Sequence, residues 1–178
     1  MNDYVAIICE GKAEKAILDI LLESECLIFD KKDLLEEEIL YRCKVKVFEN
    51  QYLNRNFGER KVEIVRVHDS LTEKFVISKS YQAKISKISS FYTRPEIEML
   101  IIIAENKYDE YKNKYISNTK PSDYCKQVLK LRDVKKYDFI KDYFKDINRL
   151  IDVLREYKRV KNDSFLCIYD LIKESMKK

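Results

Sequence analysis

The chain opens with a continuous apolar run, YVAIIC at residues 4–9, that leads directly into an amphipathic segment. Such a run is typical of a strand buried on both faces of a parallel sheet. Over residues 13–25 apolar side chains recur with the helical period, and Lys15, Asp19 and Glu23 form a narrow polar stripe. A buried strand followed at once by a largely buried helix predicts the beginning of an α/β domain.

The later pattern predicts further elements. Residues 61–70, KVEIVRVHDS, predict a second buried strand that ends at Asp69 and Ser70. Residues 30–41 predict an exposed helix, and residues 43–60 predict a strand that runs into an irregular loop. Pro95 precedes an almost wholly apolar run and predicts the start of a buried helix. Residues 140–154 repeat apolar positions at intervals of three and four, which predicts the clearest amphipathic helix of the chain.

The composition narrows the fold class. Only two glycines and two prolines stand among 178 residues, which disfavours folds built from many tight turns. We therefore predict an α/β fold, in which a small, mainly parallel sheet is flanked by helices and a helical C-terminal part follows. The length fits one α/β domain at residues 1–119 with a helical extension at residues 120–178 packed on it.

Charge is distributed unevenly within a net charge of +4. From Lys120 onward there are 16 Lys and Arg against 10 Asp and Glu, whereas the preceding residues are mildly acidic. A basic C-terminal part is compatible with contacts to a nucleic-acid backbone, and solvated helix faces are the alternative.

Cysteine and histidine usage excludes several kinds of site. The five cysteines are scattered without a C-x-x-C pair, and His68 is the only histidine, so a cysteine–histidine zinc finger is excluded. We expect reduced, mostly structural thiols. The sequence shows neither a membrane-spanning run nor a secretory signal pattern, so we expect a cytoplasmic protein.

Several carboxylates stand at predicted strand ends and helix starts. Glu10 follows the first strand, Asp69 follows the second, and Glu14 falls on the apolar arc of the first helix. The carboxyl ends of parallel strands share one edge of a sheet, where ligands collect. Gly11 is expected to allow a tight turn with positive φ and close approach of a ligand.

A further pair of carboxylates, Glu96 and Glu98, opens the apolar helix after Pro95. Carboxylates that converge without a matching set of histidines favour a hard cation, Mg²⁺ or Mn²⁺. The structural alternative is that acidic residues in first helical turns interact with the helix dipole, and that Asp69 and Ser70 cap a helix.

The order of these features resembles the Toprim domain of topoisomerases, primases, small ribosomal-RNA maturases and OLD-type nucleases. The resemblance is carried over residues 3–107 by the hydrophobic strand, the Glu-Gly-x-x-Glu motif from Glu10 to Glu14 and the later strand that ends in Asp69. The segment FYTRPEIEMLIIIAEN is similar to a proline-glutamate segment of small, single-domain Toprim-like proteins, which are often encoded near restriction or phage-defence systems.

The resemblance implies metal-dependent cleavage of phosphodiester bonds in DNA or RNA, in phage defence or nucleic-acid processing. Glu10 matches the general acid or base, Glu14 the second acid of its motif, Asp69 the first acid of Asp-x-Asp, and Glu98 the glutamate after the later proline. Leu71 stands in place of the second aspartate, so Glu73 or Glu98 would have to substitute. The expected residues, by role, are Glu10, Asp69 and Lys12 for catalysis and Glu10, Glu14, Asp69, Glu73 and Glu98 for Mg²⁺ or Mn²⁺.

Three interpretations stay open. The first is a nuclease whose basic C-terminal helices follow a nucleic-acid backbone. The second is a catalytically inactive Toprim-fold subunit that binds nucleic acid or a partner, such as an ATPase or another defence protein, and Leu71 favours it. The third is an unrelated α/β protein whose Glu-Gly turn binds a nucleotide phosphate, which the absence of a P-loop or dinucleotide motif disfavours. The sequence does not predict an oligomeric state.

Overall fold

A four-stranded parallel sheet forms the centre of the molecule. The computed structural model describes residues 3–161 and 163–177. The strands are β1 (Tyr4–Cys9), β2 (Leu40–Tyr41), β3 (Val62–His68) and β4 (Ile85–Tyr92), in the order β2-β1-β3-β4. Both central strands, β1 and β3, are buried along most of their length, as their continuous apolar runs predict. The predicted α/β class with a small parallel sheet is confirmed.

Helices flank this sheet and make up the regular structure that is described beyond residue 119. The α-helices are α1 (Lys12–Glu23), α2 (Val45–Phe48), α3 (Met99–Ala104), α4 (Tyr108–Lys114), α5 (Pro121–Gln127), α6 (Tyr137–Tyr143) and α7 (Ile147–Val160). A π-helical turn, Glu49–Leu53, continues α2, and 3₁₀ turns lie at Lys31–Asp33, Leu35–Glu37, Lys79–Lys84, Ile168–Leu171 and Glu174–Met176. Within the described ranges, no helix combines the length and apolar character needed to cross a membrane.

Strand alternation sorts the side chains of the sheet onto two faces. Odd-numbered positions such as Ile7 in β1 and Val67 in β3 join a larger core with α1, α3 and the C-terminal helices. Even-numbered positions such as Ile8 and Ile64 join a smaller core with α2 and the residues that precede β4. The two faces of the sheet therefore open onto different surroundings.

The larger core runs across residue 119. It contains Leu18 of α1, Leu100 of α3 and Leu150 of α7, all fully buried. Helix α6 packs on α1, and α7 packs on α3. The division into residues 1–119 and 120–178 stays a prediction.

Three predicted elements before residue 105 differ from the structure. Residues 30–41 form 3₁₀ turns and β2 instead of an exposed helix, because Leu34 and Leu35 are buried and β2 pairs with β1. Residues 43–60 contain α2 instead of a strand, since Phe48 and Leu53 pack into the smaller core. Helix α3 begins only at Met99, after the cis peptide bond before Pro95, a bend at Pro95 and a turn at residues 97–98.

The predicted helix over residues 140–154 is divided into α6 and α7. The backbone leaves helical geometry at Phe144, with φ −106° and ψ 38°. The Asp146 carboxylate then caps α7 by accepting hydrogen bonds from the main-chain N–H groups of Asn148 and Arg149. Ile140, Phe144 and Leu150 are all buried, so the apolar spacing continues across the break and hides it in the sequence.

Candidate metal centre at the carboxyl edge of the sheet

The ends of β1 and β3 bring Glu10 and His68 side by side. Ile8 pairs with Arg66 and Cys9 pairs with Val67, so the next position in register sets Glu10 beside His68. Because side chains alternate along a strand, Glu10, Arg66 and His68 belong to the face of the smaller core. Glu73 reaches the same place from the segment that follows β3. One potential ligand atom from each of Glu10, His68 and Glu73 lies within 4.8 Å of the others, and we call these three residues the candidate metal group.

Arg66 lies beneath the two carboxylates of this group. Its Nη2 donates to Glu10 Oε1 at 2.8 Å and to Glu73 Oε2 at 3.2 Å, and its Nη1 donates to the Glu73 main-chain oxygen at 3.4 Å. The guanidinium carbon is 5.1 Å from the centre of the Phe75 ring. The Arg66 side chain is only 5% exposed. The buried Arg66 therefore binds both carboxylates of the group through charge-assisted hydrogen bonds.

The two carboxyl groups interact strongly with each other. Burial, followed by the adjacent Glu73 carboxylate, raises the pKa of Glu10 to about 7. The hydrogen bond from the Glu10 carboxyl group, together with Arg66, lowers the pKa of Glu73. The pair therefore holds one proton at mildly acidic pH and releases it near neutrality.

His68 is buried at 1% exposure at the end of β3. Its Nε2 lies 3.0 Å from Ser90 Oγ, and its Nδ1 makes no hydrogen bond. Burial, and next the nearby Arg66 charge, lower the pKa of the imidazole, which favours the neutral form. A neutral imidazole with one nitrogen hydrogen-bonded and the other unbonded has the usual arrangement of a metal ligand.

Glu14 lies on the other face of the sheet, the face of the larger core. Its carboxylate folds back over Gly11, where a Cβ atom would be only 1.7 Å from Glu14 Oε2. Thr93 Oγ1 donates to Glu14 Oε1 at 3.4 Å, and burial raises the pKa of Glu14. Gly11 itself has φ −101°, so the predicted positive φ is wrong. A side chain at residue 11 would therefore require the Glu14 carboxylate to move.

Glu98 and Asp69 do not belong to the candidate metal group. Glu98, 4% exposed, lies 3.6 Å from Lys135 Nζ, and burial raises its pKa. Asp69 is exposed and lines a cleft of about 1710 Å³ that extends along α3, α4 and α7. Asp69 follows His68 directly in the chain, and its charge contributes to the raised pKa of both Glu10 and Glu14.

No protein-family model, curated protein or solved structure matches this chain. The resemblance to the Toprim domain stays a prediction. The site offers two carboxylates and one imidazole as donor groups on the face of the smaller core.

The structure brings together part of the predicted set. Glu10 and Glu73 are adjacent, and Glu73 supplies a carboxylate where Leu71, 44% exposed, supplies none. Among the described residues, Glu14, Asp69 and Glu98 belong to no group with the spacing of metal ligands. Lys12 is exposed at the first residue of α1.

Arg66 and His68 are the residues that the sequence did not single out for this site. Both lie within the largely apolar run VEIVRVH, whose pattern predicts a buried strand and does not indicate a site. The sequence does show that positions 66 and 68 lie on the same strand face, because side chains alternate along a strand. The parallel register then sets that face beside Glu10. The register itself cannot be read from the sequence.

Proposed function

We propose that this chain is a metal-dependent phosphodiesterase that cleaves DNA or RNA at the candidate metal group. The observation that supports the proposal is the approach of the Glu10, His68 and Glu73 ligand atoms to within 4.8 Å at the ligand-binding edge of a parallel sheet. A divalent ion bound there would neutralise the scissile phosphate and stabilise the departing oxygen.

The donor set fits Mn²⁺ better than Mg²⁺. Carboxylate oxygens suit both ions, but a nitrogen ligand is unusual for Mg²⁺. The unbonded Nδ1 of the buried His68 is a nitrogen that would gain a partner when an ion binds. We therefore expect Mn²⁺ to bind more tightly than Mg²⁺.

Other residues near the group have roles that their positions support. A carboxyl group with a pKa of about 7, as in Glu10, exchanges protons near neutral pH and suits a general acid or base. Asp69, exposed at the mouth of the cleft, is available to a substrate or to water. Lys12, exposed at the start of α1, is placed to contact a phosphate.

The basic segment 126–136 is the surface we propose for the nucleic-acid backbone. It carries five Lys and Arg and a single acidic residue, Asp133. Many basic side chains of the C-terminal part pair with acidic neighbours, as Arg155 does with Asp152. Within the described residues, Lys126, Lys130 and Arg132 of this segment take part in no salt bridge. Lys135 of the same segment contacts Glu98 near the sheet edge.

A second candidate function is a catalytically inactive subunit that binds nucleic acid or a protein partner, such as an ATPase. The observation that favours it is Arg66, because a guanidinium already neutralises part of the Glu10 and Glu73 charge. The exposed Leu71 in place of an acidic residue points the same way.

Cleavage assays on plasmid DNA and on single-stranded RNA, with Mn²⁺ or Mg²⁺, test the proposal. We expect Mn²⁺-dependent cleavage that Glu10→Gln lowers by about 100-fold or more, the usual range for loss of a general acid or base. Glu59→Gln, an isosteric change at an exposed glutamate, is the matched control and should cleave at the wild-type rate.

Two results would overturn the phosphodiesterase proposal. One is the absence of metal-dependent cleavage on every substrate, and the other is cleavage that survives Glu10→Gln unchanged. Retention of DNA or RNA without cleavage would support the inactive binding subunit.

A further inference from the structure

We propose that Arg66 is the positioning residue of the candidate metal group, because it fixes the Glu10 and Glu73 carboxylates and fastens the segment 69–78 to the sheet. In its metal-binding part the inference rests on the proposed function. The fastening of segment 69–78 stands independently of any metal.

Arg66 lies on the buried side of the candidate metal group, and the Glu10 and Glu73 carboxylates lie on its solvent side. Arg66 is 5% exposed, whereas the Glu10 and Glu73 side chains are 36% and 55% exposed. The guanidinium therefore holds Glu10 Oε1 and Glu73 Oε2 from the buried side. An ion that arrives from solvent would meet the two carboxylates from their exposed side. Hydrogen bonds of this kind orient metal-ligating carboxylates in many proteins.

Segment 69–78 is attached to the rest of the molecule near Glu73 and over residues 75–78, where Phe75 and Ile77 pack on the smaller core. It forms neither helix nor strand, and it carries Glu73 in its middle. At its far end the Ser78 main-chain N–H and hydroxyl donate to the buried Glu49 carboxylate at 2.6 and 3.1 Å. Near Glu73, Arg66 binds both the side chain and the main-chain oxygen and faces the Phe75 ring. Arg66 is thus a direct polar link between the middle of this segment and β3, beside the apolar contacts of Phe75 and Ile77.

The chemistry of arginine suits this task. The planar guanidinium presents several donors in fixed directions and a flat face that packs on an aromatic ring. Arg66 uses two of its nitrogens for three acceptor oxygens and its face for Phe75. A lysine ammonium could keep the positive charge, but it could not hold all of these contacts at once.

Arg66 affects metal binding in two opposite ways. It positions the Glu10 and Glu73 carboxylates, which favours binding, but its positive charge repels a divalent ion, which disfavours binding. The carboxylates of Glu10 and Glu73 both contact the single Arg66 guanidinium, so the carboxylates of the group outnumber the positive charge beside them. We therefore expect positioning to outweigh repulsion, and removal of Arg66 to weaken metal binding. If Arg66 instead only supplied positive charge in place of a metal ion, its removal would strengthen metal binding.

The test compares Arg66→Lys and Arg66→Met with wild type and with Arg159→Met. Arg159 is an exposed arginine of α7 that pairs with Glu156, so its variant controls for loss of an arginine elsewhere. Mn²⁺ affinity is measured by calorimetric titration, and hydrogen exchange is followed at peptides that cover residues 69–78. Thermal unfolding confirms that each variant is folded, and Arg66→Lys serves if Arg66→Met does not fold.

We expect both Arg66 variants to bind Mn²⁺ about 10- to 100-fold more weakly than wild type, the usual effect of losing an outer hydrogen bond to a metal ligand. We also expect faster hydrogen exchange in residues 69–78 of both variants. Glu73→Gln should lower the Mn²⁺ affinity less in the Arg66→Met background than in wild type, because the contact between the two residues is already lost there. Equal or tighter Mn²⁺ binding by Arg66→Met would overturn the positioning of the metal group. If wild type binds no Mn²⁺, the proposed function fails, and unchanged exchange in residues 69–78 would then overturn the inference as well.

Discussion

Glu98 shows how one buried carboxylate links stability to pH. It is 4% exposed, and burial raises its pKa above the ordinary value of 4.5. A carboxyl group with a raised pKa in the folded state favours folding when protonated, so its contribution to stability is lost as pH rises above about 4.5. The partner Lys135 is 63% exposed and offsets little of this loss.

We therefore expect Glu98→Gln to raise the melting temperature at pH 8 and to have a smaller effect at pH 5. For a chain of this size, each 1 kcal/mol of stabilisation corresponds to roughly 2–4 °C. Differential scanning calorimetry across this range checks the prediction, with Glu59→Gln as the exposed control. A melting temperature that falls at pH 8 would show that the Glu98 charge is needed for folding.

Gly11 and Glu14 are expected to depend on each other. An alanine Cβ at residue 11 would meet Glu14 Oε2 at 1.7 Å, although φ −101° suits alanine. Gly11→Ala should therefore displace the Glu14 carboxylate from Thr93 and destabilise the wild type. In a Glu14→Ala background the same change should be neutral or slightly stabilising, since the obstacle is gone. Urea unfolding of the two single variants and the double variant measures the coupling, and additive effects would contradict it.

At the scale of elements, Asp146 determines where α7 begins. Its carboxylate accepts hydrogen bonds at 2.9 and 3.3 Å from two main-chain N–H groups of the first turn. We expect Asp146→Ala to lower the free energy of unfolding by about 1 kcal/mol, within the usual 0.5–2 kcal/mol of an N-cap. Asp152→Ala removes the same charge from an exposed position of the same helix and should cost less. Equal losses in the two variants, measured by urea unfolding, would show that the cap contributes nothing.

The same scale shows which parts of the fold the sequence predicts. β1, α1 and β3 were predictable, because each combines a strong apolar pattern with a length typical of its element. The residues from 30 to 60 were not, because Leu34, Phe48 and their neighbours are buried through tertiary packing that leaves no simple period. The break at Phe144 was hidden because the apolar spacing runs through it.

At the scale of the whole molecule, the sheet divides the predicted site between its two faces. The sequence predicts that the carboxylates share one edge of the sheet, but not the face that each side chain takes. Alternation sends Glu10 to the face of the smaller core, and Glu14 packs against Thr93 on the other. Glu73 joins Glu10 only through an irregular segment, whose path follows from Arg66 and Phe75. A one-dimensional pattern contains no information about such a path.

Binding of nucleic acid is also a property of the whole surface, and it can be tested by its dependence on salt. A cation already paired with a neighbouring acid displaces fewer counter-ions from phosphates than an unpaired one. We expect replacement of Lys126, Lys130 and Arg132 by glutamine to weaken DNA binding and to reduce the slope of log K against log salt by about 2–3. The matched control replaces three cations that pair with acids on α6 and α7, namely Lys145, Arg155 and Arg159. Fluorescence anisotropy over a salt series measures both slopes, and equal reductions would assign binding to overall charge instead of to the basic segment 126–136.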